Sequence, residues 1–353
     1  MATARDVSHD RGEVNALNVQ ELLDRATLAA DARWPGASVT DLDSLHGGVS
    51  SLTFAARLSD SCCSARQIVV KVAPPGFPPV RRRDVLRQAK VLRALAGAPG
   101  VRVPEVLLED AGTPPFFVMS YIAGEAYEPN KDVSAEPPSA EVVNRRARLA
   151  ARMLGRIHQL APDEIGLGDE PETTLEAELE RWAKLYRTAG DELHFYESDL
   201  HRGLAATVPA PVPARILHGD FRLGNMQFVD DRLGAIIDWD IWSVGDPRTD
   251  LAWLLNWTDP VHRFVNGRDA ANRAASDGMP SRDELLAEYL AVRHEDVAEL
   301  HWFLAYCYYK TASATSVLVE RNRLRLDPDP GLEIAASTIP DVLKRGREIL
   351  GSA

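Results

Sequence analysis

The stretch Leu217-His218-Gly219-Asp220-Phe221-Arg222-Leu223-Gly224-Asn225-Met226 carries most of the information in this sequence, and Ile236-Ile237-Asp238-Trp239-Asp240 follows it after a predicted hairpin. Two carboxylates, Asp220 and Asp238, and the amide of Asn225 lie on loops that flank short predicted strands. Carboxylate and amide oxygens in this arrangement hold Mg²⁺ against nucleotide phosphates. We therefore predict that Asp220 is the base that accepts the proton of an attacking hydroxyl, and that Asn225 and Asp238 are metal ligands.

The same run resembles the catalytic motif of the aminoglycoside phosphotransferase family, the small-molecule relatives of protein kinases. That motif has the form His-Gly-Asp, four residues, Asn, and then Ile-Asp on the next strand. This chain matches it in full at Asp220, Asn225 and Asp238. The run from Gly245 to Ala252 also fits the family, in which its aspartates tie the catalytic loop to the helical lobe.

The resemblance covers residues 38–350 in element order and implies a two-lobed, protein-kinase-like α+β fold. Such a fold has a small N-lobe with a five-stranded antiparallel sheet and a large, mainly helical C-lobe. The residue pattern agrees, because short β-type runs precede residue 123 and helical runs follow it. We predict an N-terminal extension with a helix over 1–37, an N-lobe that binds nucleotide phosphates over 38–122, and a C-lobe with the catalytic loop and substrate site over 123–353.

The predicted strands of the N-lobe are Ser38–Leu45, Ser51–Leu58, Gln67–Ala73, Glu105–Glu109 and Phe116–Ile122. The predicted helices are Val19–Ala32, Val80–Leu95, Ser139–Leu160, Leu175–Arg187, Glu192–Ala206, Leu251–Trp257, Arg282–Arg293, Asp296–Val319 and Leu332–Leu350.

Two features of the predicted N-lobe are expected to bind phosphates. In the family, the phosphate-binding turn lies between the first two strands, where this chain has few glycines. We therefore expect backbone groups and hydroxyls to contact the phosphates, with Gly48, Ser50 and Ser51 as the cofactor-binding residues. Lys71 is the only lysine among the first 89 residues. It lies in an apolar predicted strand, where a cation is costly unless paired, so we predict that it holds the α- and β-phosphates.

The helix after the lysine strand departs from the family pattern. The family has a glutamate there that pairs with the lysine, whereas this chain has Gln88. A neutral amide makes a weaker contact with lysine than a carboxylate does. We expect Gln88 to hydrogen-bond Lys71, or Asp84, one turn earlier, to substitute. The departure leaves a second hypothesis open, a nucleotide-binding, pseudokinase-like module with little transferase activity.

The resemblance also places the adenine contacts and a further catalytic candidate. Ser120–Ala123 lies where the family's connector presents backbone groups to adenine, so Ser120 and Ile122 are candidate cofactor-binding residues. Arg222 is a candidate catalytic residue that contacts a phosphate or neutralises Asp220. A purely structural ion pair is the alternative for this arginine.

Other polar residues around the motif are expected to support it. We expect His218 to brace the loop by hydrogen bonding, and Asp246 and Asp250 to act as scaffold. Asp240 is expected to orient the loop or to reach a second metal. His158, at the end of a predicted helix, is expected to be a core histidine with satisfied hydrogen bonds.

The composition excludes several other classes of protein. The 353 residues carry a formal net charge of −12, and an acidic chain repels polyanions, so we expect neither nucleic acid nor an anionic membrane as a partner. The apolar runs are shorter than the roughly 20 residues that a bilayer span needs.

The N-terminus lacks the apolar segment of a secretory signal, so we expect a cytoplasmic protein. The three cysteines have no metal-ligand spacing and predict neither a disulfide framework nor a zinc site.

The sequence leaves the phosphate acceptor open. Residues 161–200 contain 12 acidic and 3 basic residues, a balance of −9 that suits a cationic, aminoglycoside-like antibiotic, although a solvated helix face explains the same charges. Basic clusters at 81–83, 321–325 and 344–347 would instead receive an anionic group. The aromatic helix over 301–310 resembles the family branch that accompanies acyl-CoA dehydrogenases, although such a stripe is also typical of a core.

We therefore hypothesise an ATP- and Mg²⁺-dependent phosphotransferase that acts on a hydroxyl of a small molecule. The acceptor is an aminoglycoside-like antibiotic or a hydroxyacyl or other metabolite. The choice between ATP and GTP, and the oligomeric state, stay open.

Overall fold

The chain forms two compact units in the computed structural model, which describes residues 17–45, 51–60, 65–78, 80, 83–194, 197–262 and 268–351. The first unit comprises the described parts of 1–97 and 102–123 together with the segment 238–241. The second unit comprises the described parts of 98–101, 124–237 and 242–353.

The first unit is built on a five-stranded antiparallel sheet, as the sequence predicts. Its strands are β1 (Ser38–Ser44), β2 (Leu52–Ser59), β3 (Arg66–Val72), β4 (Val106–Asp110) and β5 (Phe116–Ser120). Their order in the sheet is β1-β2-β3-β5-β4. Lys71 of β3 pairs with Thr53 of β2 and with Phe117 of β5, so it is flanked by a strand on either side.

Two helices belong to the first unit, α1 (Val19–Arg33) and α2 (Val85–Ala96). In α1, Leu22, Ala26 and Ala30 recur at the helical spacing and are buried in the core beside the sheet. The predicted start of α2 at Val80 is wrong. The helix begins at Val85 because the Asp84 carboxylate accepts a hydrogen bond of 3.0 Å from the backbone N–H of Arg87, which caps its first turn.

The second unit is mainly helical. Its helices are α3 (Ala140–Ile157), α4 (Leu175–Tyr186), α5 (Glu197–Ala206), α6 (Arg248–Asn256), α7 (Ala270–Asp277), α8 (Arg282–Arg293), α9 (Leu300–Arg323) and α10 (Pro330–Leu350). The aromatic residues of α9 form core, since Trp302, Phe303, Tyr306, Tyr308 and Tyr309 are all buried. No helix in the described ranges is both long enough and apolar enough to cross a bilayer.

Short strands in the second unit position the motif loop. They are β6 (Glu172–Thr173), β7 (Arg215–Leu217), β8 (Met226–Val229), β9 (Arg232–Ile236) and β10 (Ser243–Gly245). β7 lies beside β10 in a three-stranded sheet, and β8 and β9 form the predicted hairpin. The loop from His218 to Asn225 therefore starts at the end of β7 and finishes at the start of β8.

Two short strands and one helix were not predicted, and their sequences show why. β6 and β10 have only two and three residues, too few to show an alternation of polar and apolar positions. The helix α7 has a weak apolar face, and its local signal is a cap, since the Asp269 carboxylate accepts a 2.8 Å hydrogen bond from the N–H of Asn272.

Candidate active site

The carboxylate of Asp220 is held by three side chains of the second unit. The indole N–H of Trp253 donates to Oδ1 at 2.8 Å, Nδ2 of Asn225 donates to Oδ2 at 2.9 Å, and Nε of Arg222 donates to Oδ2 at 3.3 Å. Nδ2 of Asn225 also donates to the backbone oxygen of Asp220 at 2.8 Å. Asp220 is thus fixed by donors on both oxygens, which is the arrangement that orients a catalytic carboxylate.

The surroundings of Asp220 favour its charged form. Burial alone would raise the pKa of this carboxyl, but the charges of Arg222 and Lys310 and the hydrogen bond from Trp253 outweigh burial, and the pKa of Asp220 is lowered. Asp220 is therefore a carboxylate at neutral pH, able to accept a hydrogen bond from an alcohol.

Backbone contacts brace the loop as the sequence predicts. The Asp250 carboxylate accepts the N–H groups of His218 and Gly219 at 2.5 and 2.9 Å. Nε2 of His218 lies 2.9 Å from the oxygen of Ile237, and Nδ1 accepts the N–H of Asp220 at 3.2 Å. Gly219 has a φ of 85°, a conformation that glycine adopts without strain. The expected scaffold roles of His218 and Asp250 agree with this geometry.

Arg222 contacts a buried carboxylate that the sequence analysis missed. Nη1 of Arg222 lies 3.7 Å from Oε2 of Glu128, which also accepts the N–H of Gly224 at 3.1 Å. The arginine thus lies between Glu128 and Asp220, and its guanidinium also stacks on Trp257 at 5.6 Å from the ring centroid. Nothing in the local sequence separates Glu128 from a surface glutamate, because its burial arises only from folding.

Lys310 of α9 is a second residue that the sequence analysis missed. Its Nζ donates a hydrogen bond to the backbone oxygen of Gly219 and lies 3.9 Å from the centroid of the Trp253 ring. Lys310 is the last residue of the aromatic run over 301–310. A lysine at the end of such a run was a usable signal, because a buried lysine needs a partner.

In the first unit, the predicted lysine is paired with the aspartates that follow the hairpin. Nζ of Lys71, which is 7% exposed, donates to Oδ1 of Asp240 and lies 3.7 Å from Oδ1 of Asp238. Asp238 has a φ of 64°, uncommon for a residue other than glycine, and half of its side chain is exposed. Strained backbone of this kind clusters at functional sites. Asp240 is therefore the partner of Lys71 and not simply a residue that orients the loop.

The expected contact between Gln88 and Lys71 is wrong. Gln88 is 2% exposed, and among the described residues its Nε2 has no hydrogen-bond partner. Asp84 does not substitute, because its carboxylate caps α2. Lys71 instead pairs with the carboxylate of Asp240, 169 residues further along the chain.

The other candidate cofactor-binding residues fall into two groups. Gly48 and Ser50 lie outside the described residues. Ser51 is buried, and its hydroxyl has no hydrogen-bond partner in the described part of the chain. Ser120 is the last residue of β5. Its hydroxyl oxygen accepts a hydrogen bond of 3.0 Å from the N–H of Glu105, and its own N–H donates to the backbone oxygen of Glu105. Ile122 is half-buried just beyond.

His158 is buried in the core, as expected, but the expectation that its hydrogen bonds are satisfied is wrong, because Nε2 has no hydrogen-bond partner among the described residues. It is fully buried, Nδ1 lies 2.9 Å from the Tyr289 hydroxyl, and Nε2 lies 4.0 Å from Oδ2 of Asp250. Burial, together with Arg293 and Arg215, holds the pKa of His158 well below its usual range. His158 is therefore neutral and does not supply charge to the site.

Several residues of the charge clusters in the helical unit form ion pairs. Glu180 pairs with Arg187 at 2.8 Å, as expected for a solvated helix face. Arg323 pairs with Glu192 at 2.7 Å and with Glu333 at 2.9 Å, and Nε of Arg345 lies 3.2 Å from Asp259. These ion pairs weaken the suggestion that the acidic segment 161–200, or the basic clusters 321–325 and 344–347, select a substrate by net charge.

The fold and the site together define a kinase-like phosphotransferase. Two features define this class of protein: a five-stranded antiparallel sheet that carries a buried lysine, and a helical unit whose His-Gly-Asp loop is held by hydrogen bonds. The chain belongs to the phosphotransferase enzyme family, whose model matches residues 41–285. The resemblance inferred from the motif is thereby confirmed.

Solved structures share the fold. A structure from Ralstonia eutropha JMP134, classed as an aminoglycoside phosphotransferase, is 20% identical, has a TM-score of 0.73 and covers 94% of this chain and 99% of its own. An aminoglycoside phosphotransferase in a ternary complex with ADP and hygromycin B is 12% identical, has a TM-score of 0.57 and covers 95% of this chain and 98% of its own. At these identities the likeness concerns the fold alone.

Similar curated proteins are of two kinds. Acyl-CoA dehydrogenase family member 10 of Mus musculus is 27% identical over 78% of this chain, and member 11 of Homo sapiens is 25% identical over 80%. The matches span only 26% and 37% of those proteins' own lengths. Viomycin phosphotransferase of Streptomyces vinaceus is 34% identical over 47% of this chain and 60% of its own.

Proposed function

We propose that this chain transfers the γ-phosphoryl group of ATP to a hydroxyl of a small molecule, with Mg²⁺ as the metal. The observation that carries the proposal is the state of Asp220, a carboxylate with a lowered pKa that donors from Trp253, Asn225 and Arg222 fix in place. Asp220 orients the acceptor hydroxyl and takes its proton. A strongly basic group is unnecessary, because phosphoryl transfer depends chiefly on positioning and on charge stabilisation.

The donor set suits Mg²⁺. Asn225 turns Nδ2 toward Asp220, so its Oδ1 accepts no hydrogen bond from the described residues and is available to a cation. Asp238 presents a half-exposed carboxylate. Mg²⁺ in such enzymes is bound by one or two protein oxygens together with substrate phosphates, and when bound it neutralises charge on those phosphates. Asn225 and Asp238 would hold it.

Lys71 and Arg222 supply the positive charge in this proposal. Lys71 binds the α- and β-phosphates, and its buried position makes its charge effective at short range. Arg222 keeps Asp220 ionised and oriented, since its Nε contacts the carboxylate directly. Ser51, Ser120 and Ile122 remain candidates for contacts with the nucleotide.

The pseudokinase-like alternative loses its main argument. That hypothesis rested on Gln88, which removes the expected carboxylate partner of the lysine. Asp240, which follows β9, provides a carboxylate partner for Lys71. The lysine therefore has an acidic partner, although that partner lies after the β8–β9 hairpin and not in α2.

The acceptor belongs to one of two chemical classes. Viomycin phosphotransferase and the hygromycin B complex support an antibiotic, whereas the acyl-CoA dehydrogenase family members support a hydroxyacyl or other metabolite. Two of the acidic residues that would suit a cationic antibiotic, Glu180 and Glu192, are already paired with arginines.

The test is a phosphate-transfer screen with the purified chain. Mg-ATP is combined with aminoglycosides, viomycin, sugars and hydroxyacyl thioesters, ADP release is followed in a coupled assay, and the product is identified by mass. We expect acceptor-dependent ADP release that Asp220→Asn lowers by about 10²- to 10⁴-fold, the usual contribution of a general base. Calorimetric affinity for Mg-ATP should stay unchanged in that variant.

The matched control is Asp327→Asn, which makes the same change at an exposed aspartate and should leave turnover at the wild-type value. Turnover by Asp220→Asn equal to that of the wild type would refute the role given to Asp220. Absence of Mg-ATP binding by the wild type would refute the proposed function altogether.

A further inference from the structure

We propose that Lys310 and Trp253 are positioning residues that hold the Asp220 carboxylate in its reactive orientation. The inference rests on the proposed function, because it gives Asp220 the part of the base. Neither residue belongs to the motif, and α9 and α6 bring them to the loop from 57 residues apart in the sequence.

Lys310 contacts the loop on the backbone side of Asp220. Its ammonium donates to the backbone oxygen of Gly219, the residue directly before Asp220. Gly219 itself has an unusual φ of 85°. A fixed donor on this oxygen limits rotation of the peptide that leads into Asp220. Lys310 thereby restricts the position from which the aspartate side chain extends.

Trp253 contacts the loop on the side-chain side. Its indole N–H donates to Oδ1 of Asp220 at 2.8 Å, and the face of the same ring lies 3.9 Å from Nζ of Lys310. The ring therefore receives a cation–π contact from Lys310 while it holds the carboxylate. One continuous set of contacts runs from Lys310 through Trp253 to Asp220.

The burial of Lys310 indicates a role beyond packing. The residue is 7% exposed, and a methionine would fill the same space without a charge to desolvate. Its ammonium makes one hydrogen bond with the described residues, although it can donate three. An apolar side chain would serve a purely structural role equally well, so the charge itself is the feature to explain.

Three carboxylates and a thiol lie close enough to Lys310 to affect its pKa. Asp220 lies on the loop, Asp250 on α6, Glu178 on α4 and Cys307 on α9 itself. Burial lowers the pKa of Lys310, and these four groups oppose the effect.

Glu178 is engaged elsewhere, since its Oε2 accepts from the Tyr306 hydroxyl at 2.9 Å and from the indole of Trp182 at 3.3 Å. Asp250 likewise accepts two backbone N–H groups of the loop. Asp220 differs from both, because it is the carboxylate that contacts Trp253, the ring that lies beneath the ammonium of Lys310.

The experiment measures how firmly the Asp220 carboxylate is held without using turnover. The chain is labelled with ¹³C at aspartate carboxyls, the Asp220 resonance is identified by its loss in Asp220→Asn, and its position and line width at neutral pH are compared by NMR in the wild type, Lys310→Met, Lys310→Arg and Trp253→Phe. We expect the resonance to move and broaden in Lys310→Met and Trp253→Phe, because each variant removes a contact that fixes the loop or the carboxylate. Lys310→Arg, which keeps a charged donor, should stay near the wild type.

Turnover of Mg-ATP with water as the acceptor gives a second measurement. We expect Lys310→Met to lower kcat by about ten- to hundredfold, the effect of a misplaced catalytic group, with the KM for Mg-ATP unchanged. The matched control is Lys184→Met on α4, an exposed lysine, which should match the wild type in both measurements.

An unchanged Asp220 resonance and an unchanged kcat in both Lys310→Met and Trp253→Phe would overturn the inference. If circular dichroism shows Lys310→Met to be unfolded, Trp253→Phe decides, since it removes only the indole donor. Different results would refute the proposed function and this inference. An Asp220→Asn variant with full turnover refutes the proposed base, whereas loss of turnover in Asp220→Asn with normal Lys310→Met and Trp253→Phe variants refutes only the inference.

Discussion

Glu128 and Arg222 form a buried ion pair in the helical unit, with Oε2 of Glu128 3.7 Å from Nη1 of Arg222. Glu128 is 1% exposed, and among the described residues its Oε1 has no hydrogen-bond partner. Burial, only partly offset by Arg222 and by the N–H of Gly224, raises the pKa of Glu128 to about 7 from its usual 4.5. A charge next to the candidate base therefore titrates near neutral pH.

This titration predicts a pH-dependent stability. Because the pKa of Glu128 is higher in the folded chain, the folded state binds more protons between pH 4.5 and 7, and its stability falls as pH rises through that window. Glu128→Gln removes the titration. We expect the free energy of unfolding of the variant, relative to wild type, to rise by about 3 kcal/mol between pH 5 and pH 8 in urea denaturation.

The matched control for that comparison is Glu176→Gln, the same change at an exposed glutamate of α4, which should show no such trend. Parallel stability curves for Glu128→Gln and wild type from pH 5 to pH 8 would contradict the prediction.

Gly224 is predicted to be intolerant of any side chain. A Cβ at this position would overlap Nη1 of Arg222 and lie 3.2 Å from Cβ of Glu128. Gly224→Ala should therefore displace the guanidinium from Asp220 and lower kcat by about tenfold or more, while the chain stays folded. Gly97→Ala serves as the control, because its Cβ would meet nothing closer than 3.9 Å. Equal turnover in the two variants would argue against a role for Arg222.

The pair of Lys71 and Asp240 predicts a strong coupling in a double-mutant cycle. Both side chains are about 9% exposed, so removal of either partner leaves a buried charge uncompensated. Asp240→Asn and Lys71→Met should each lower the free energy of unfolding by about 3–5 kcal/mol. The double variant should lose clearly less than the sum of the two, since no unpaired charge remains. Additive losses in chemical denaturation would show that the two residues do not interact.

The two hypotheses about Gln88 differ in what a carboxylate at this position would do. Lys71 already pairs with Asp240, so Gln88→Glu should not increase turnover. It should lower the free energy of unfolding by about 1–3 kcal/mol, because a charged group is then buried without a partner. Gln88→Met, which replaces an amide whose Nε2 is unpaired among the described residues, should be neutral or stabilising. A several-fold gain in turnover with Gln88→Glu would instead support the pseudokinase-like alternative.

The sequence predicts the fold class and much of the candidate site because these depend on local chemistry. The five strands of the first unit follow from short apolar runs, with bounds that differ by one or two residues. Asp220 and Asn225 lie five residues apart on one loop, so their hydrogen bond follows from the motif itself. His218 and Asp250 likewise hold the loop as predicted.

Contacts between distant residues could not be predicted from local patterns. Gln88 occupies the expected position of the lysine's partner, yet the lysine binds Asp240, which the fold brings from 169 residues away. Glu128 resembles a surface residue in the sequence, and the aromatic run before Lys310 indicates burial but not a partner. Only the contacts of Glu128 with Arg222 and of Lys310 with Trp253 bring their charges close to Asp220.

The sequence by itself therefore determined the kind of chemistry that we propose, because the residue types and spacing of the motif place a carboxylate beside further oxygen-bearing side chains. The tertiary structure alone decided the environment of that carboxylate. The pKa of Asp220 and the partner of Lys71 depend on burial and on distances of a few ångströms, and electrostatic interactions at that range are created only when the chain folds.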